Sequence, residues 1–270
     1  MKKIALLALL ALILSMGMSL DTLAEEADEP REEKSFAIPS SVLSISKENT
    51  YKNPTQDLPY LQPSSLAEKL LDSTSEKIEN PDLIRIMNES SIHYPKLGFV
   101  MKASIYLGEW PLAYDSKETE VNWEYEKVNT NYSDNRGGKD SKTLTYTQEQ
   151  QKKVSGGLTA KIPNAEAVEK MMMIHAAEKT SLPLSFDTVI GQGTKKNQTY
   201  NVPTKQVGYL HGHVPAVLEK GSVTYGEVYL TLKAGKPKLE VKNVTEQGIG
   251  AWIPVQDNVS FSFVAAKQPQ

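Results

Sequence analysis

Alternating apolar and polar positions dominate much of the chain from residue 118 onward. In residues 118–125, Val121, Trp123 and Tyr125 fall on one side, while Glu118, Glu120, Asn122 and Glu124 fall on the other. A period of two is that of a half-buried strand. Residues 131–140 are dense in Asn, Asp, Ser and Gly, and Leu144, Tyr146 and Gln148 then resume the pattern. The two runs are expected to pair as an antiparallel hairpin. From Val207 onward the reading is a meander. One strand ends near Leu218, Glu219-Lys220-Gly221 turns, and Val228, Leu230 and Leu232 share one face of the returning strand. A turn at residues 234–237, strands around Leu239–Val241 and at residues 248–255, and a last strand carrying Val259, Phe261, Phe263 and Ala265 complete it. Strands joined by short polar turns are antiparallel.

Three segments carry the helical period instead. Ser65-Leu-Ala-Glu68 reads as a capping box, followed by Ala67, Leu70, Leu71, Thr74 and Ile78 on one face. Asn80-Pro81 places a cap and an N1 proline ahead of a short helix ending at Met87. A third helix opens after Pro163-Asn164, with Val168, Met171, Met172, His175 and Ala176 as its apolar stripe and Pro183 beyond its end. The expected fold class is α+β: a mostly antiparallel sheet, made of a hairpin and a C-terminal meander, with about three short amphipathic helices packed on it. Residues 35–270 are expected to form one domain. Residues 40–63 are punctuated by Asn53-Pro54, Leu58-Pro59 and Gln62-Pro63, which disfavour helix and give an extended Pro-rich arm lying across that domain.

The N-terminus changes the compartment. Lys2 and Lys3 precede an unbroken apolar run from Ile4 to Leu14, and Thr22-Leu23-Ala24 supplies small residues for cleavage. This is the form of a secretory signal peptide over residues 1–24, with an uncleaved membrane anchor as the competing reading. Residues 25–34 (EEADEPREEK) are almost wholly charged and read as a flexible tether. The expected location is extracytoplasmic, either secreted or tethered to the outer face of the membrane. The chain has no cysteine, so a lipid-modified N-terminus, disulfides and thiolate metal sites are all excluded. The formal charge is −3. Loss of the leader, with its two lysines and one aspartate, would make it −4. Nucleic acid, which needs a basic footprint, is therefore not an expected partner.

Several stretches have a distinctive wording: NPDLIRIMNESSI (residues 80–92), ASIYLGEWPL (103–112), VNWEYEKVNTNYSDNRGG (121–138), VIGQGTKKNQTYNVP (189–203) and GIGAWIPVQDNVSFSF (248–263). They resemble the YfkD-like family of bacilli, over most of the chain from about Ile38 to Phe263. The resemblance implies an exported protein on the outside of a Gram-positive cell. It implies no catalytic residue, because that family is one of uncharacterised function.

Candidate chemistry is sparse. His211-Gly212-His213 can present two imidazoles on one strand face, but a catalytic zinc needs three protein ligands. His175 and Glu227 are the candidates for the third. The competing reading is two hydrogen-bonded histidines on a polar strand face. Glu118, Glu120, Glu124 and Glu126 form a carboxylate ladder, read as a solvated face screened by Lys127, Lys142 and Lys152. Trp110 and Trp252, each close to a proline at a strand end, could bind a ligand such as cell-wall glycan. The chain lacks G-x-S-x-G and H-E-x-x-H. Ser44-Ile-Ser-Lys47 has no accompanying K-T-G, and Gly191-Gln-Gly193-Thr-Lys195-Lys196 lacks phosphate-loop spacing. No cofactor is implied. A non-enzymatic binding or assembly module at the cell envelope, acting on glycan or another envelope protein, is the favoured expectation. An exported metal-assisted hydrolase using His211 and His213 is the alternative.

Overall fold

A computed structural model describes residues 36–55, 62–90, 102–233 and 236–269. The expected leader, tether and part of the arm lie outside these residues. The mostly antiparallel, helix-decorated architecture expected from the pattern is the one observed. Its centre is a strand far longer than the pattern suggested. Strand β8 (Val207–Lys233) runs 27 residues, roughly 85 Å at the usual rise of about 3.3 Å per residue. Along one edge it pairs with β2 (Lys102–Asp134) over almost its whole length, antiparallel. Along the other edge two shorter strands lie end to end. β10 (Asn258–Ala266) pairs with residues 207–213, and β9 (Lys236–Pro254) pairs with residues 216–233. Short strands β1 (Val42–Ser44) and β5 (Gly157–Leu158) add to the outer edges of β10 and β9.

Two expectations fail for identifiable reasons. The turn at Glu219-Lys220-Gly221 is absent and β8 passes straight through it. Gly221 serves close approach instead: a Cβ there would stand 2.1 Å from the Asp115 carbonyl oxygen and 2.6 Å from the Tyr114 hydroxyl. Nor does the run at 144–148 pair with β2 in a hairpin. Strand β3 (Lys142–Thr147) gives its backbone ladder to β7 (Lys195–Val202), because β8 already occupies the facing edge of β2. The chain does return beside β2, but side-chain amides make the link. Asn131 donates to the Thr147 carbonyl (2.9 Å) and accepts from its N–H (2.9 Å), and Asn129 donates to the same carbonyl (2.7 Å). A third pair, β4 (Lys152–Ser155) with β6 (Asp187–Ile190), completes the strands.

Apolar burial falls into three clusters along the ribbon. Leu210 and Val214 of β8 join Ile45, Leu144, Tyr146, Val202, Val259 and Phe261. Val217, Val223 and Tyr225, on the opposite strand parity, pack under helix α3 (Ala165–Thr180) with Met171, Met172 and Ala176. Val228, Leu239 and Leu112 pack under α1 (Ser65–Leu71) and α2 (Pro81–Glu89). By strand parity, β8 thus buries its odd positions in the middle and its even positions toward both ends.

The arm is held by side-chain amides. Asn49, only 4% exposed, donates to the Val189 carbonyl (2.9 Å) and to Asp257 (2.8 Å), and accepts from Gly191 N–H (3.0 Å). Asn53 repeats the pattern with Val189 N–H and carbonyl and with Asp257. Such bonds satisfy backbone groups of β6 that no neighbouring strand reaches. Among the described residues no helix is long and apolar enough to cross a membrane.

Candidate functional site: a groove between three helices

The three helices enclose a groove of about 700 Å³. Its placement begins at β2. Pro111 has no N–H, and a register shift between Pro111 and Ala113 bends the strand, leaving the Leu112 carbonyl pointing away from β8. That oxygen accepts from the N–H groups of Glu79 (2.8 Å) and Asn80 (3.1 Å). The Asn80 side chain, fully buried, donates to the Pro111 carbonyl (2.7 Å) and caps α2 by accepting from Asp82 N–H (2.9 Å). One asparagine therefore docks and starts the helix. Helix α1 is capped by Ser64, whose hydroxyl accepts from Ala67 N–H (3.2 Å). The cap is one residue earlier than the Ser65 box expected, and the helix ends at Leu71 rather than running to Ile78. Lys170 of α3 bridges to Asp82 of α2 at 3.0 Å, fixing the two groove walls together.

Leu71, Ile78, Ile84, Met171 and Ile174 form the apolar floor, and Glu68, Lys77, Glu79, His175 and Glu178 carry its charge. Glu79 is the hub. One carboxylate oxygen accepts from His175 Nε2 (2.9 Å) and from Tyr114 N–H (2.8 Å), and the other pairs with Lys77 Nζ (2.5 Å). Burial alone would raise this acid. The hydrogen bonds from His175, Lys77 and the Tyr114 amide outweigh it and hold the carboxyl down to about 2. The His175 ring meets the Tyr114 ring edge-on at 5.6 Å. The Tyr114 hydroxyl in turn donates to Glu219 (3.1 Å), which is fully buried and also accepts from Ser116 and Thr119 (2.6 Å). Burial, and then the charge of Glu219, push the Tyr114 phenol up, so it stays a donor.

The histidines singled out in the sequence are separated. His211 and His213 do share a face of β8, with ring centroids 6.3 Å apart, while Gly212 faces the core where Tyr146 leaves no room for a Cβ. His211 Nδ1 lies 2.9 Å from Thr130 Oγ1. His213 Nδ1 is buried without a hydrogen-bond partner among the described residues. Burial lowers both imidazoles, with Glu124 opposing. His175 sits in the groove, against Tyr114, which is in register with Val223, ten residues beyond His213. Glu227 is farther still, opposite Glu109, and accepts from the Tyr229 hydroxyl (2.7 Å). Among the described residues no three His, Asp or Glu side chains are grouped to hold a metal ion.

Both tryptophans are half-buried, and they do not form one surface. Trp110 donates to the Leu107 carbonyl (3.0 Å) and packs with the α1–α2 cluster. Trp252 stacks on Tyr125 at 5.0 Å, opposite Leu218 of β8, whereas Trp110 stands opposite Gly226. In the carboxylate ladder, Glu118 pairs with Lys220 (3.0 Å) and Glu126 with Lys152 (3.1 Å). Sequence reading missed Glu79, Ile174 and Glu178 as groove residues. Only the Asn80-Pro81 helix start marked the place, because the groove is assembled from helices about a hundred residues apart.

Comparison with known proteins bears on ancestry. Two solved structures give a TM-score of 0.23, too low to support any inference. One is a lamprey immune protein, 9% identical, covering 62% of this chain and about half (53%) of its own. The other is the parasporin-2 toxin of Bacillus thuringiensis, described as recognising cancer cells, 12% identical, covering 84% of this chain and 98% of its own. A Bacillus subtilis (strain 168) protein described as uncharacterized protein YfkD is 60% identical over 237 residues, covering 88% of this chain and 90% of its own. The model of the YfkD-like protein family matches residues 39–270. The same segments that carried the resemblance in the sequence therefore lie inside the matched region, and the chain belongs to the YfkD-like protein family.

Proposed function

We propose that this chain is an exported, non-enzymatic binding module of the bacterial cell envelope, and that the three-helix groove is where it binds. The observation that carries the reading is the groove itself: about 700 Å³, floored by Leu71, Ile78, Ile84, Met171 and Ile174, with charge confined to a few positions. Clefts of this size, apolar with few polar groups, are the usual form of small-ligand sites. The rest of the molecule supports binding over catalysis in this reading. Glu79 and His175 satisfy each other, and Glu79 is held ionised by three donors. A carboxylate so stabilised is a poor general base at neutral pH. The leader-like residues 1–24 support the extracytoplasmic setting.

A neutral apolar fluorophore, N-phenyl-1-naphthylamine, tests the reading. It should bind saturably at one site per chain, and Ile174→Trp, which fills the groove, should abolish that binding while circular dichroism and thermal unfolding stay as in the parent. No saturable binding to the parent chain, or binding unchanged by the filling substitution, would overturn it.

A further inference from the structure

The groove carries a charge imbalance that selects among apolar ligands. Its lining holds three carboxylates, Glu68, Glu79 and Glu178, against one ammonium, Lys77, and one imidazole, His175. Both basic groups are already committed: Lys77 Nζ lies 2.5 Å and His175 Nε2 2.9 Å from the two oxygens of Glu79. Glu68 and Glu178 are exposed at the groove's rim and form no ion pair among the described residues. They stand on two of the helices that line the groove, α1 and α3. An apolar ligand seated on Ile84, Met171 and Ile174 therefore meets two uncompensated negative charges where it leaves the floor. An anionic headgroup there would face like charge, with no unpaired cation in the groove's described lining to receive it. A cationic headgroup would gain two partners of opposite charge at the rim, giving a preference in sign more than a large affinity.

We infer that the groove, taken as the binding site above, is selective for small amphipathic cations: an apolar chain ending in an ammonium group. The apolar floor supplies most of the affinity by removing hydrocarbon from water. Glu68 and Glu178 supply the sign preference. Lys77 and His175 do not oppose it, since Glu79 holds both.

Competition against bound N-phenyl-1-naphthylamine separates the two levels of the claim. Decylammonium, decanol and decanoate are compared at neutral pH, below their aggregation concentrations and at low and high salt. Decylammonium should displace the probe about tenfold more tightly than decanoate, with decanol between them, and the preference should shrink as salt rises. Glu68→Gln and Glu178→Gln, both at exposed positions, should each cut the ammonium preference about threefold without changing decanol binding. If decanol and decylammonium compete equally, or decanoate competes best, the charge inference is overturned while the groove remains a binding site. If the probe itself fails to bind, the groove reading falls and the inference falls with it.

Discussion

His175 and the pair His211–His213 sit in contrasting surroundings. His175 is enclosed by helices, has a carboxylate 2.9 Å away and a tyrosine against its ring. The pair stands on a strand face with a single threonine as its hydrogen-bond partner among the described residues, and Glu124 acts on it only through its charge. The pair is adjacent in sequence and draws attention, yet its surroundings are one ribbon face. His175 is a lone histidine in a helical stripe, yet it lines the groove. Proximity along the chain produced two neighbouring rings, whereas convergence of three helices on β2 produced a groove.

Substitutions can break or sharpen this contrast. The largest effect is expected beneath the helices. Glu219→Ala removes the acceptor of the buried Tyr114 hydroxyl and of the half-buried Ser116 and Thr119 hydroxyls. It should cost about 3 kcal/mol in urea unfolding, since buried donors left unpaired cost about 1–3 kcal/mol each. Glu219→Gln, which keeps one acceptor oxygen and offers an NH2 that the Thr119 hydroxyl can accept from, should cost less than half of that. At the other end, Gly212→Ala would place a Cβ 2.7 Å from the Tyr146 ring and 3.2 Å from Val259. Overpacking there should cost about 1–3 kcal/mol by the same measurement. An equal or larger loss than Glu219→Ala would mean the two ends do not differ in how tightly they are built.

A smaller, pH-dependent effect belongs to Glu79. Its folded-state pKa is depressed to about 2, so its contribution is fully present above the ordinary carboxylate range. It is lost as the pH falls from about 4.5 toward 2. With partial exposure discounted, Glu79→Gln should cost about 1–2 kcal/mol at pH 7. It should also flatten the acid limb of a stability-versus-pH curve. An unchanged acid limb would detach His175 and Lys77 from the stability of the groove. The smallest effect is expected at His211→Ala, about 0.5 kcal/mol in thermal unfolding. Zinc should not shift the parent's melting temperature. A saturable rise that vanishes in His211→Ala would break the comparison outright.

What could be read in advance divides along the same line. Local patterns were legible. Asn80-Pro81 opened its helix as expected, the α3 stripe buried Val168, Met171, Met172 and Ala176, and Gly212 turned to the core with its two histidines outward. Alternation also identified strands, but it could not say where they end. Gly221 resembled a turn residue, and only the neighbouring Tyr114 and Asp115 explain why a strand needs glycine there. Pairing was illegible for a related reason. The run at 142–147 is as compatible with β2 as with β7, and the choice is decided by β8, some sixty residues further on. The groove needed all of these outcomes at once. Its key contact, Glu79 to His175, spans ninety-six positions, and neither residue has a local motif that points to the other.

The ribbon also sets a distance. Val42 of β1 pairs with Ser260, which is in register with His213, and the amide-stitched arm keeps the chain's entry at that level. The docking point of α2 on β2 is at Tyr114, in register with Val223. Ten residues of strand separate the two levels, roughly 33 Å at the usual rise. β8 therefore acts as a boom that sets the groove that far from the level of β1. Shortening β2 and β8 together by two residues, on strands that must keep their alternation, would change this reach by roughly 7 Å while leaving every groove contact in place.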